Sequence, residues 1–200
     1  LGLNIAKVTP LATGTLLLVL PIGWLSMRIR EVSWSSVGLS LPSRWPRVVS
    51  IGTVGGVAIQ ALTSLVIDPL MKWAGLAAPT VAGVTNLASS GVVGLAFTLL
   101  LVWFVGGFLE ELCFRGYLMT RASDVLRGRA GTAMSVVLST AYFGLSHWYQ
   151  GPSGVIEASV TGLCFGLAFA STRNLLSPIV LHAALDTSGV VMLAAGFTGW

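Results

Sequence analysis

Charge is what this chain lacks most. Asp, Glu, Lys and Arg make up only 9% of its 200 residues, against about 25% in ordinary soluble domains. A soluble globule of this size cannot clothe its surface with so few charges, so part of its solvent must be lipid. The 11 Lys and Arg outnumber the 7 Asp and Glu, giving a net charge of +4, but they are scattered and form no basic run or stripe. That excludes a nucleic-acid-binding face. Cysteine is also rare. Cys113 and Cys164 sit in apolar stretches with no Cys-x-x-Cys spacing, and read as small buried hydrophobes rather than a disulfide or a zinc pair. No His-Glu-x-x-His occurs either. Gly144-Leu145-Ser146-His147 begins like a nucleophile elbow but lacks the closing glycine. On a helix Ser146 would point away from the adjacent His147, so it reads as a packing residue.

What the chain has is apolar length: 54% of it is hydrophobic. Six stretches approach the ~20 residues that span a bilayer: Val8 to Met27, Val48 to Ile67, Gly91 continuing as helix to about Arg121, Gly131 to Trp148, Val155 to Thr172, and Pro178 to Phe197. Arg28 and Arg30 after the first read as a membrane stop, and no signal-peptide cleavage pattern follows it. Ser177-Pro178 reads as an N-cap with Pro at the first helical position. Gly162-x-x-x-Gly166 allows close helix packing. Glu31 to Arg47, with Trp34, Trp45, Pro42 and Pro46, suits the headgroup region. Met71 to Ser90, rich in Gly, Ala, Pro and Ser, is open between loop, short helix and re-entrant element. The expected fold is all-α: a polytopic membrane protein of about six helices in a single membrane domain over 1–200, with 1–90 as N-terminal spans and 91–197 as the core.

The basic residues fall on alternating loops. One side collects Arg28, Arg30, Arg44, Arg47, Arg121, Arg127, Arg129 and Arg173, and the other only Lys7 and Lys72. The positive-inside rule then puts the Arg-rich loops in the cytoplasm and both termini outside.

Against this background two adjacent glutamates stand out. No charged residue lies between Lys72 and Glu110-Glu111. A charged side chain at the centre of a membrane helix costs roughly 2.5–3.5 kcal/mol on insertion scales, so such residues usually serve chemistry or transport. Within the last four stretches the other ionisable residues away from the loops are Arg115, His147, Glu157, His182 and Asp186. Glu111 and Arg115 are four apart and can pair on one helix face, as can His182 and Asp186. Glu110 is turned about 100° from Glu111 and has no local cation. At 1.5 Å per residue, Glu110 lies about 16 Å from Arg121, while His182 and Asp186 lie about 13 and 20 Å from Arg173. His147 comes out deeper, about 27 Å from Arg129. A carboxylate and two imidazoles inside a bilayer suggest general-base activation of water.

The pattern Glu110-Glu111-x-x-x-Arg115, Phe143-x-x-x-His147 and His182-x-x-x-Asp186 resembles the three motifs of the CAAX-protease and bacteriocin-processing (CPBP, or ABI) family of intramembrane proteases, related to the CAAX prenyl endopeptidase. Phe114-Arg115-Gly116 and Arg173-Asn174-Leu175 with Pro178-Ile179 add to the likeness. The resemblance implies the all-helical CPBP core, an intramembrane endopeptidase activity, and a peptide or prenylated protein substrate met in the lipid bilayer, with no nucleic acid. It implies the plasma membrane of a bacterium. It also implies that Glu110 and His147 activate water, that His182 and Asp186 stabilise the oxyanion, and that Glu111 and Arg115 brace the site. Asp186 departs from the family, which often has Asn there; an ionised Asp would repel an oxyanion, so it must be protonated, orient His182 or bind a metal. No metal is expected to be required, although Glu110, His147 and His182 could form a three-ligand zinc site. Two other readings compete: a non-catalytic scaffold or bacteriocin-immunity protein of the same fold, and a proton-coupled transporter relaying through Glu110 and Asp186. The absence of an inverted repeat counts against the transporter.

Overall fold

A computed structural model of the chain describes residues 21, 24, 25, 27–29 and 31–197. The first expected span therefore lies almost wholly outside the described residues. Those that are described fold as helices and turns with no strand among them.

After a 3-10 turn at Trp34–Val37, helix α1 runs over Trp45–Trp73. Pro46 sits in its first turn, where its missing N–H costs nothing. A second proline, Pro69, lies inside the same helix, where it has no N–H to donate and crowds the preceding turn. The helix answers by widening to π geometry at Thr63–Ile67, just ahead of Asp68-Pro69. Helix α2, Ala82–Ala88, resolves the open segment before the core as a loop plus a short helix. Helix α3, Val92–Leu126, is the longest. Its middle is wound as π-helix over Val102–Glu110 and Leu112–Met119. Such winding is rare and recurs at functional sites. Helix α4 covers Gly128–Ser146, a 3-10 turn Trp148–Gln150 follows, then come α5, Gly151–Thr172, and α6, Leu176–Ala194.

By length and composition, four helices among the described residues can cross a membrane: Trp45–Trp73, Val92–Leu126, Trp148–Thr172 and Leu176–Ala194. These carry the second, third, fifth and sixth expected spans. The expected fourth, Gly131 to Trp148, does form helix α4 but is not one of the four. Arg129 and a series of Gly, Ser and Thr residues dilute its apolar character. The start of α6 also differs from expectation. The helix begins at Leu176 rather than being capped by Ser177, and the Asn174 side chain accepts the Leu176 N–H (2.9 Å).

The outer surface carries large apolar side chains, among them Val54, Leu65, Val92, Val93 and Leu100, as a lipid-facing surface requires. Inside, one cluster (Met27, Val37, Leu112, Met119, Val136, Phe169, Leu175) fills the end near the Arg-bearing loops. A second, Phe143, Ala158 and Phe165, is joined by Phe114, Ile59, Leu181 and Leu185. Helices α1 and α6 pack along their length through glycines. A Cβ on Gly52 would stand 2.9 Å from Val180 Cγ1, and one on Gly56 would stand 2.7 Å from Ala184 Cβ and collide with the Leu181 carbonyl oxygen. Without a hydrophobic drive between helices in lipid, such close backbone approach is what holds them together.

Gly56→Leu should therefore force α1 off α6 and cost ~1–3 kcal/mol, as overpacking does. The check is the thermal unfolding midpoint in detergent. A variant as stable as the wild type would contradict this packing.

Candidate active site

The site is built around one buried carboxylate. Glu111, on the π-wound middle of α3, is completely buried. Its Oε1 accepts from Arg115 Nη1 (2.7 Å) and from His182 Nδ1 (2.8 Å). The first bond follows from the four-residue spacing. The second joins residues 71 apart and ties α3 to α6.

Arg115 is buried as fully as its partner. Its Nη2 donates to the Gly162 carbonyl on α5 (2.9 Å), and its guanidinium lies over Phe143 (4.5 Å) and Phe165 (5.3 Å). Stacking a desolvated cation on ring faces recovers part of the hydration it gives up. Gly162 makes this possible, since a Cβ there would stand 2.8 Å from Phe143 Cδ1 and 3.2 Å from Arg115 Nη2. The Gly162-x-x-x-Gly166 pair does serve packing, with Gly166 against Val136 on α4, but Gly162 also seats the arginine.

His182 is held on three sides. Its ring stacks on Phe165 at 4.4 Å and meets the edge of Phe143 at 5.9 Å. A carboxylate only accepts, so the bond to Glu111 places a proton on Nδ1. Nε2 faces Asp186 Oδ2 at 3.5 Å. Gly106-Gly107, one turn before the glutamates, give this histidine its room. A Cβ on Gly106 would stand 2.7 Å from Asp186 Oδ2 and 3.5 Å from His182 Nε2, and one on Gly107 would stand 3.0 Å from Ala183 Cβ. The available signal was two adjacent glycines in an apolar helix facing a His flanked by alanine.

Glu110 and His147 stand beside this network. Glu110 is half-buried and makes no side-chain hydrogen bond or ion pair among the described residues. The charges that act on it most are His182 and then Asp186. His147 lies where the chain leaves α4. Its Nδ1–H donates to the Phe143 carbonyl (2.9 Å), which leaves Nε2 with its lone pair. Its ring lies 4.8 Å from Phe143 and stacks on Tyr149 at 5.9 Å. Phe143 thus touches both histidines. Ser146 does not point away from His147, contrary to expectation: its Oγ lies 3.3 Å from His147 Nδ1. The helix ends between them, so the usual 100° step does not apply. The Ser146 hydroxyl is spent on the Phe143 carbonyl (2.7 Å).

Two further groups fall outside this arrangement. Glu157 sits against Asp68 on α1 and bonds none of the residues above. Ser153, in the glycine-flanked run Gly151-Pro152-Ser153-Gly154 that the sequence reading overlooked, is buried and donates to the Ala77 carbonyl (2.6 Å). It serves as a brace.

Among the described residues, no three of His, Cys, Asp and Glu are grouped so as to hold a metal ion. Glu110, His147 and His182 form no such group among the described residues.

Removing one member of a buried ion pair leaves the other uncompensated at a cost of ~3–5 kcal/mol. Arg115→Leu should therefore lower the unfolding midpoint sharply and reduce the folded yield from membranes. A variant with wild-type stability would contradict the role given to the pair.

A family model described as Type II CAAX prenyl endopeptidase Rce1-like matches residues 92–188. No curated protein and no solved structure matches the chain. The matched stretch opens at the first residue of α3 and takes in Glu110, Glu111, Arg115, His147, His182 and Asp186. With its four membrane-length apolar helices, the chain is an integral membrane protein whose residues 92–188 are similar to the Rce1-like CAAX-protease family.

Proposed function

We propose that the protein is an intramembrane endopeptidase that hydrolyses a peptide bond with a water activated by Glu110 and His147. The observation that carries this reading is the contrast between neighbours. Glu111 is bound on one oxygen by two donors, whereas Glu110 carries no hydrogen bond among the described residues. A carboxylate free of hydrogen-bond partners can take a proton from water, and a histidine with an open Nε2 can accept a hydrogen bond from the same water.

The reaction then runs as follows. As the water oxygen adds to the scissile carbonyl carbon, Glu110 takes one of its protons and His147 Nε2 accepts a hydrogen bond from the other. The carbonyl π electrons move onto oxygen. Collapse of the tetrahedral intermediate breaks the C–N bond, and the proton held by Glu110 passes to the leaving amine. His182, carried as an imidazolium between the Glu111 and Asp186 carboxylates, acts on the oxyanion side: its Nδ1–H bonds Glu111 and fixes the ring, its Nε2–H meets the oxyanion, and Asp186 orients that nitrogen. No metal takes part.

The substrate is a peptide or prenylated protein segment reached from the cytoplasmic side or from the bilayer, and the membrane is the plasma membrane of a bacterium. The basic loops support this placement by meeting at one end of the molecule. Arg173 Nη2 reaches Thr132 Oγ1 (3.4 Å), Asn174 Nδ2 donates to the Ser40 carbonyl (2.8 Å), and Leu175 N–H donates to the Gly38 carbonyl (2.9 Å). Those contacts bring the Arg44, Arg129 and Arg173 loops together, on the face taken to be cytoplasmic.

The test is cleavage by purified protein of an internally quenched peptide ending in a CAAX sequence, in farnesylated and unmodified forms. General-base loss typically costs ~10²–10⁴-fold, so Glu110→Gln and His147→Ala should each lose at least that lower factor while keeping the wild-type unfolding midpoint. Wild-type protein that cleaves neither peptide, or variants that cleave normally, would instead favour a scaffold role. A strong chelator should leave wild-type cleavage unchanged. Activity lost to the chelator and restored by zinc would overturn the metal-free mechanism.

A further inference from the structure

The groups around Glu110 are rich in acceptors and short of free donors. Glu110, Glu111 and Asp186 are carboxyl groups, and Arg115, whose Nη1 and Nη2 bond Glu111 and the Gly162 carbonyl while its Nε has no partner, is fully buried out of a substrate's reach. His147 spends its Nδ1–H on the Phe143 carbonyl, and His182 spends its own on Glu111. What remains for an oxyanion is His182 Nε2, which already faces Asp186. Tetrahedral intermediates of acyl transfer are ordinarily held by more than one preorganised donor.

Tyr149 can supply the second. We propose that the Tyr149 hydroxyl donates to the oxyanion, an inference that rests on the hydrolytic reading above. Its ring stacks on the His147 ring at 5.9 Å with 28° between planes, which sets it beside the proposed base. Its phenol oxygen accepts a hydrogen bond from Gln150 Nε2 (3.0 Å). Because the oxygen is the acceptor in that bond, its own O–H is left to donate elsewhere. The phenol lies within reach of the Glu110 and Asp186 charges. The residue is half exposed, and a substrate can meet it.

The turn that carries Tyr149 is fixed from several directions, as preorganised donation demands. Gln150 N–H donates to the His147 carbonyl (2.9 Å), and the Gln150 carbonyl accepts from Thr80 N–H (3.0 Å). Ser153 Oγ donates to Ala77, tying the loop before α2 to the start of α5. Gly154 leaves the space into which Gln150 folds, since a Cβ there would stand 2.8 Å from Gln150 Oε1. Gly151, at φ +86°, turns the chain into α5 directly after the pair.

Tyr149→Phe keeps the ring and its stacking and deletes the hydroxyl, which is both the proposed donor and the acceptor of the Gln150 Nε2 bond. Wild type, Tyr149→Phe and Glu110→Gln are compared as purified full-length protein on the farnesylated and unmodified quenched peptides, with unfolding midpoints alongside. Removing one oxyanion donor lowers kcat by ~10²–10³. Tyr149→Phe should show that loss in kcat, with KM and the unfolding midpoint unchanged. Full kcat in Tyr149→Phe, or a change confined to KM, overturns the donor role and leaves the Glu110 reading standing. A wild type that cleaves neither peptide, or a Glu110→Gln that cleaves normally, overturns the hydrolytic reading and the donor role with it.

Discussion

The Glu111 carboxylate, buried in the middle of a membrane helix, is the constraint on which the rest of the core depends. Lipid offers it no hydrogen bond, so the protein must bring the donors to it. One comes from the same helix, Arg115 at 2.7 Å, and the other from α6, His182 at 2.8 Å. Each donor then has needs of its own. Arg115 requires the Gly162 carbonyl and the faces of Phe143 and Phe165. His182 requires the stack on Phe165 and the clearance left by Gly106. Three helices are thereby fixed around one oxygen atom.

That arrangement also divides the adjacent glutamates. The bonded one orders His182 and closes the interior. The unbonded one faces the edge of the site with the charges of His182 and Asp186 acting on it. The chain leaves α4 at His147 and continues into a braced turn that carries Tyr149. A rigid network on one side and an open edge on the other is what hydrolysis inside a bilayer requires: fixed dipoles where charge develops, and room for water and a peptide.

Much of this was legible in the chain itself. The Glu111–Arg115 spacing on an apolar run gave the pair, because a four-residue step brings side chains together on a helix even where it is widened. Three motifs in chain order pointed to the family that the match over 92–188 supports. The bond between Glu111 and His182 was not legible, since only tertiary packing joins residues 71 apart. Nor was the role of Gly106 and Gly162, because a glycine's effect depends on what lies where its Cβ would be. Local geometry misled where helices begin and end. Ser146 and His147 come together because α4 stops between them, and Asn174 rather than Ser177 caps the last helix. Hydropathy misled for α4, which forms as a helix while Arg129 and its hydroxyl residues keep it below the apolarity of the four spans.

The division of labour between the two glutamates can be read directly from the histidines. The chain has only two, so ¹⁵N-histidine NMR of the protein in detergent or bilayers resolves both. The wild-type spectrum should show His182 Nδ1 protonated in a strong hydrogen bond. Glu111→Gln should shift that Nδ1 resonance markedly, and Glu110→Gln should leave it in place. A His182 Nδ1 that carries no proton, ignores Glu111→Gln, or moves equally with Glu110→Gln would contradict the account.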